Sequence, residues 1–413
     1  MKKQQTLLGF LMVTILFTIT LNSCKKEEVP FALGTLTAGT IDLNGLNSAI
    51  NVPASPTISA TFSTEVDLAT AIPANITLVQ SYDALSIPLT IAVSGKTITL
   101  TVENELASGA IYELTFTTGL KATNGLLLTA AIKRSFTTLG SFVPTGQIAY
   151  FNFENNANDQ VGTRNPAASD IIDINYVTGR NAAAGKAALF NGNTSIIEIP
   201  RGDQLVDKDL TISIWLKLDT TSAKMQHAVF GCGTWVGYYL KLVCFGTGSI
   251  EFDAGYDIAG ATSFTALWTQ CNGVTKDNGG YMGWTYDKDL TATGGLNPIL
   301  VNKWANLIIM YNAATKVGSI YLNGEKIKAQ DFNLYDAPWP TAVGFKYGGS
   351  VGGGGDNLAL GFAQGRYNLT QTWWPYYDNP YGGILNGQMD DLRFFNKVLT
   401  QTEITMMYNS EKP

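Results

Sequence analysis

The chain has 413 residues, 27 lysines and arginines against 33 acids, one histidine, and only 15% charged residues. An acidic chain without a basic run has nothing to neutralise phosphates, which argues against a nucleic-acid partner. The single histidine, His227, confines Ser-His-Asp or Cys-His chemistry to sites built on it, and its place before the apolar run Ala228 to Gly233 reads as a polar residue at a strand mouth.

In chain order, the first 23 residues read as an export signal. Lys2 and Lys3 give a basic start, and Leu7 to Leu21 is apolar but too short and threonine-rich for a membrane span. Leu21-Asn22-Ser23-Cys24 resembles a bacterial lipoprotein box, with Cys24 as the lipidated residue and Asn22 as a small departure. Lys25-Lys26-Glu27-Glu28 is similar to the short charged tags of surface-exported lipoproteins of Bacteroidetes. The resemblance implies a chain tethered by residues 24–29 to the outer membrane, through acyl chains on Cys24, and facing outward. Loss of the two signal lysines takes the net charge to about −8, and about 390 residues remain, enough for two or three domains.

Three further cysteines, Cys232, Cys244 and Cys271, allow at most one disulfide and leave one thiol over. Cys232 and Cys244 flank a hairpin and are either bridged or simply buried, burial being preferred. There is no C-x-x-C pair, which argues against a structural zinc site.

Residues 30–140 show period-2 strands at intervals of about ten residues: TISATFS, ITLVQ, LTIAVSG, TITLTVE, IYELTFTTGL and KRSFTTLG. Turn formers separate them, among them Pro53-Ala54-Ser55-Pro56, Ser94-Gly95-Lys96 and Asn124-Gly125. This pattern predicts a β-sandwich. Pro56-Thr57-Ile58 to Phe62-Ser63, Leu106 to Leu114, and Ser135-Phe136-Thr137-Thr138 resemble the bacterial Ig-like domains of secreted proteins. Glu65 and Asp67 read as loop-solvating acids, and the unit as a spacer. Ser141 to Gly146 reads as a linker.

Residues 147–413 end in GQMDDLRFFNKVLTQTEITMMY, Gly387 to Tyr408. This is a strand, a turn at Asn396-Lys397, and a short helix with a Thr400/Glu403 capping box and an apolar stripe of Ile404, Met407 and Tyr408. Strict alternation places Asp390 on the apolar face with Leu392 and Phe394, and Asp391 and Arg393 on a watery face. A carboxylate on an apolar face needs backbone donors or a cation.

That closing stretch resembles the last strand and helix of laminin-G-like, concanavalin A-like jelly rolls. Other pieces follow in the family's order: AYFNFENNANDQVG (Ala149–Gly162), GKAALFNGNTSIIEIP (Gly185–Pro200), LTISIWLKLD (Leu210–Asp219), KWANLIIMYNAATKVGSIYLNGEKI (Lys303–Ile327) and LALGFAQG (Leu358–Gly365). The expected fold class is all-β: an Ig-like β-sandwich, then a concanavalin A-like jelly roll of two packed antiparallel sheets, over residues 147–413, with a short C-terminal helix.

The resemblance frames the chemistry. Glucanases of this fold carry E-x-D-x-x-E on one strand, and retaining chemistry needs two carboxyls roughly 5–5.5 Å apart. Here Glu251-Phe252-Asp253-Ala254-Gly255-Tyr256 puts a tyrosine where the last acid belongs, so no catalytic residues are assigned. The family also implies one structural calcium ion, with Asp390 as ligand and Asp159 and Asn156 next. An Asx-rich turn without metal is the alternative for that segment. The segments 222–300 and 332–383 are rich in aromatic and glycine residues. Trp373-Trp374-Pro375-Tyr376-Tyr377 cannot turn every ring inward, and exposed rings beside polar side chains suit a sugar. The expected ligand-binding residues are Trp373, Trp374, Tyr376, Tyr377, Trp284, Arg366 and Asp378. The expected function is non-catalytic, lectin-like capture of a polysaccharide or oligosaccharide, alongside other surface glycan-uptake proteins. An adhesin, or a glycoside hydrolase pairing Asp253 with Glu251 or Asp277, are the alternatives.

Overall fold

The computed structural model describes residues 29–220, 225–350, 355–366 and 383–413. The chain divides into two compact units at the Leu139–Gly140 junction. In the first unit, two five-stranded sheets face each other, as the alternating sequence requires. One is ordered Ile41–Asp42, Leu33–Ala38, Thr57–Phe62, Thr97–Val102, Leu89–Ser94; the other Ala49–Val52, Ile132–Thr138, Ile111–Phe116, Ile76–Gln80, Ser86–Ile87. Every second residue is buried: Ile58, Ala60 and Phe62 on one strand, Tyr112, Leu114 and Phe116 on another. Asp67 does more than solvate its loop, since its carboxylate accepts from the Ala69 N–H and caps the turn Leu68–Thr70.

The second unit is a larger sandwich of a nine-stranded and an eight-stranded sheet. The nine-stranded sheet runs Asn175–Thr178, Lys186–Asn191, Asn386–Phe395, Leu210–Leu218, Ala305–Asn312, Val317–Leu322, Glu325–Asp331, Trp284–Asp287, and the opening strand Gln147–Phe151 also pairs with Asn386–Phe395. The eight-stranded sheet runs Ile171–Ile172, Ile196–Ile199, Leu358–Leu360, Gln226–Cys232, Tyr238–Val243, Ser249–Ile258, Ala261–Thr269, with Ala342–Phe345 on Ser249–Ile258. Leu216, Ile309, Met389, Leu392 and Phe394 from one sheet meet Phe230, Leu240, Phe252 and Tyr256 from the other. Cys232, Cys244 and Cys271 are all free and buried. His227 is fully buried, its Nδ1 accepting from the Asn386 N–H at 3.3 Å, so it is a core residue and not one at a strand mouth. The expected linker is fixed to this unit: Phe142 is buried, and its N–H donates to Ser410 Oγ at 2.8 Å.

The closing strand departs from strict alternation. Asp391 has φ 46°, and pairing with Leu210–Leu218 jumps from Trp215↔Asp390 to Ser213↔Arg393. This is a β-bulge, which inserts one residue and flips the parity before it. Asp390 therefore leaves the apolar face of Leu392 and Phe394 and joins Asp391 and Arg393 on the other side. That side is not in water either. The helix Gln401–Glu411, with its expected capping box formed, covers it, burying Ile404 and Met407 and stacking Tyr408 on Trp215 at 5.8 Å.

Beneath the helix lies a network of buried charges. Arg180 donates to Asp390 Oδ2 (2.6 Å), to Asp391, and to the Glu411 backbone carbonyl (2.8 Å), while its guanidinium lies 4.8 Å from the Trp215 ring centre. Arg393 pairs with the Glu411 carboxylate, which also accepts from Trp215 Nε1 at 2.9 Å. Burial, then the charge of Asp391, push the Asp390 carboxyl up to about 8 against the pull of Arg180. Burial acts on Asp391 too, but Arg393 and Arg180 outweigh it and hold that carboxyl below the ordinary range. Both shifts favour a proton on Asp390 over one on Asp391.

A native state that keeps a proton the unfolded chain releases loses stability as pH rises from the ordinary 3.8 to about 8. Asp391 works the other way, its contribution being lost only as pH falls below the ordinary range. Asp390→Asn should therefore lie within about 1 kcal/mol of the parent at pH 4, gain on it as pH rises to about 8 and gain no further above that, whereas Asp391→Asn, which strands two buried guanidinium contacts, should lose about 3–5 kcal/mol. Urea unfolding across this pH range checks this; an equally large loss for both variants at pH 6 would mean that Asp390 is ionised.

Candidate functional site

Two edge strands, Ala261–Thr269 of the smaller sheet and Trp284–Asp287 of the larger, meet at one open edge of the sandwich. Between them lies a cleft of about 300 Å³, lined by Thr265, Ala266, Trp268, Tyr281, Trp284, Gln330, Tyr335 and Trp339. The Trp268 and Trp284 ring centres are 5.4 Å apart, with 34° between their planes, and Tyr281 meets Tyr335 edge-on at 4.8 Å. Tyr281 is 42% exposed, so the rim stays open to solvent.

The rings are held by polar groups behind them. Lys328 Nζ lies 4.1 Å from the Trp284 ring centre and 2.9 Å from Asp287 Oδ2. Asp287 also accepts from Thr269 Oγ1 (2.7 Å) and the Gly273 N–H (3.1 Å). Burial lowers the Lys328 ammonium, and the Asp287 contact partly offsets that. With its amide turned to suit both neighbours, Gln330 donates to the Ala266 carbonyl (3.1 Å) and accepts from Trp284 Nε1 (2.8 Å). Gly283 is required here: a Cβ would sit 1.6 Å from Tyr335 Cε1. Rings fixed in this way lose little freedom on binding.

A second feature adjoins the cleft on the outward face of the smaller sheet. Glu251 lies directly across from Lys241 and Trp268, and Asp253 across from Tyr239 and Ala266. Lys241 Nζ is 2.9 Å from Glu251. Burial and the neighbouring Glu251 charge raise the Asp253 carboxyl to about 7. Tyr256, in the place of the third glucanase acid, points into the core between Tyr311 and Phe345. Asp277 is engaged by Lys276 at 2.7 Å in a separate exposed turn.

Of the residues expected from sequence, Trp284 lies in the cleft. Arg366 is held by Glu198, through Nε at 2.8 Å and through its second nitrogen. Trp373, Trp374, Tyr376, Tyr377, Asp378 and the lipidation residue Cys24 lie outside the described residues. Tyr335, Gln330 and Lys328 were not expected. Lys328 alternates with Lys326 and reads as solvent-facing, and only Asp287, 41 residues away, explains its burial.

The calcium ligands do not fit an ion. Calcium takes six to eight oxygens, but the positive charge facing Asp390 is the Arg180 guanidinium. Asp159 accepts from the N–H groups of Tyr150 (3.1 Å), Val161 (3.1 Å) and Gly162 (2.9 Å). Asn156 bridges the Glu154 carbonyl and the Asn158 N–H, each at 2.9 Å. Both residues make turns. Among the described residues no three carboxylate, histidine or cysteine side chains gather as a metal site.

Comparison with known proteins follows the same division of the chain. Residues 41–138 match the bacterial Ig-like domain, and residues 191–362 match the concanavalin A-like lectin/glucanases superfamily. No curated protein matches the chain. Among solved structures, domain 4 of AbnA, a GH43 extracellular arabinanase from Geobacillus stearothermophilus in complex with arabinotriose, is 18% identical with TM-score 0.37, over 63% of this chain and 98% of that one. The botulinum neurotoxin serotype D binding domain is 14% identical with TM-score 0.39, over 64% of this chain. The binding domain of Paraclostridial Mosquitocidal Protein 1 is 16% identical at the same TM-score. This chain spans about half the length of each toxin domain, 52% in both cases. The protein therefore joins a bacterial Ig-like domain to a domain of the concanavalin A-like lectin/glucanases superfamily.

Proposed function

We propose that the second unit binds carbohydrate at the aromatic cleft without cleaving it, and that the chain is a lipoprotein capturing glycans at the outer surface of a cell. The observation that carries the reading is the grouping of Trp268, Tyr281, Trp284 and Trp339 around one open cleft. Flat rings stack on the CH faces of a sugar, and the polar groups among them meet its hydroxyls. Membership of a superfamily of lectins and glucanases supports sugar as the ligand class, and the inward Tyr256 favours the lectin side. The lipoprotein part rests on Leu21-Asn22-Ser23-Cys24 and the charged tag behind it.

Affinity electrophoresis on gels cast with plant, algal and host polysaccharides tests the binding. At least one polysaccharide should retard the chain, and Trp284→Ala should weaken that retardation by about tenfold or more, about 1.4 kcal/mol. Reducing ends should not accumulate; their release would overturn the non-catalytic assignment. For the anchor, growth with an alkyne-bearing fatty acid should label the parent chain and not Cys24→Ala, and equal labelling of the two would remove Cys24 as the lipid site.

A further inference from the structure

The cleft lies at one end of a longer strip. The strand Ala261–Thr269 pairs with Ser249–Ile258 in unbroken register, so Phe264, Ala266 and Trp268 share the outward face while Leu267 fills the core. Phe264 is not alone at its end. Trp235, from the turn Thr234–Val236, meets it edge-on at 5.6 Å, and the two remain 48% and 37% exposed. Gly348 lets the Phe264 ring lie against the backbone, since a Cβ there would come within 2.8 Å of it. Two large apolar rings packed together yet left in water mark a contact surface. From Phe264 to Trp268 the strand advances roughly 13 Å, the length of about three linked sugar rings.

Between the two aromatic ends the strip is low and polar. Ala266 contributes only a methyl group, and Asp253 and Glu251 stand across from Ala266 and Trp268. Adjacent carboxyl groups offer several acceptor oxygens to a hydroxyl, and the raised Asp253 carboxyl can donate as well when it is protonated. Of the cations beside the strip, Lys241 is paired with Glu251 and Lys328 with Asp287, while Lys346 donates to the Gly260 carbonyl at the hairpin turn beyond Phe264. A uronate or sulfate would therefore meet carboxyls without a free counter-charge.

Resting on the carbohydrate reading above, we infer that Trp235 and Phe264 form a second platform, and that the ligand is a neutral, linear oligosaccharide of three or more rings. It lies along Ala261–Thr269, from Trp235 and Phe264 to Trp268 and Trp284, and its central hydroxyls meet Asp253 and Glu251.

Calorimetry on the full chain tests this with cello-, xylo-, manno-, arabino- and malto-oligosaccharides of two to six rings, and polygalacturonate as the acidic probe. Affinity for one neutral series should rise about tenfold between the disaccharide and the tetrasaccharide and then level off. The exposed-residue variant Trp235→Ala/Phe264→Ala should abolish that rise and leave disaccharide affinity within twofold, while Trp284→Ala weakens every length. A length gain that survives Trp235→Ala/Phe264→Ala, a disaccharide bound as tightly as longer chains, or polygalacturonate bound as tightly as the best neutral series would each overturn the second platform or its neutral ligand. These results would leave binding at the cleft standing. No binding of any probe would overturn both.

Discussion

The second unit depends on one local event, the bulge at Asp391. The strand that carries it touches the opening strand, Lys186–Asn191 and Leu210–Leu218 together, so its register fixes the middle of the larger sheet. A bulge there sends three charged side chains to one face and leaves Met389, Leu392 and Phe394 for the core. Buried charges are expensive unless each meets an opposite partner with good geometry. Arg180 and Glu411 supply those partners, from positions 210 and 18 residues away from the groups they engage. The helix does not merely cover apolar surface: its last residue enters the network, with the Glu411 backbone carbonyl facing Arg180 at the negative end of the helix dipole.

Far from that network, the candidate site uses the opposite resource, an edge. Sandwiches must end somewhere, and unpaired strand edges invite association. Here Gln330 closes the gap, donating across to the Ala266 carbonyl while accepting from Trp284 Nε1. The aromatic side chains that protect the edge are thus also the ones left at the surface. Lys328, behind Trp284, is neutralised by Asp287 and spends its charge on the ring face, which stiffens the indole without exposing a free cation. Protecting an edge and building a platform are solved by the same residues.

Much of this was legible in sequence where the relevant physics is local. Strand periodicity, the order of the family's segments and the Thr400/Glu403 capping box depend on neighbours within a few residues, and each formed as read. The face of Asp390 is misread because period-2 extrapolation assumes no inserted residue, and nothing in Asp390-Asp391-Leu392 announces a left-handed Asp391; Asp391 and Arg393 keep the face read for them, but the closing helix covers it instead of water. The reading of Asp390 did contain the physical requirement for a positive partner. It named a metal where the fold supplies Arg180, because partners distant in sequence cannot be paired by inspection. His227 reads as a polar residue at a strand mouth, whereas it is fully buried within the strand Gln226–Cys232, its Nδ1 accepting from the Asn386 N–H. The cleft was half legible: Trp284 stands out among aromatic residues, but Tyr335 and Lys328 acquire meaning only when Trp284–Asp287 pairs with Glu325–Asp331.

The distinction between a lectin and a glycosidase in this fold can rest on the parity of one strand. In Ser249–Ile258, Glu251 and Asp253 point outward and Tyr256 inward, as a strand with unbroken pairing to Ala261–Thr269 requires. An acid at position 256 would be driven into a core of Tyr311, Phe332 and Phe345, where an unpaired carboxylate is prohibitively costly. By the same parity Asp257 falls on the outward face, where its carboxylate accepts from the Gly260 N–H at 2.9 Å in the hairpin turn. Glu251 and Asp253 are left as an adjacent carboxyl pair balanced by Lys241 beside Trp268.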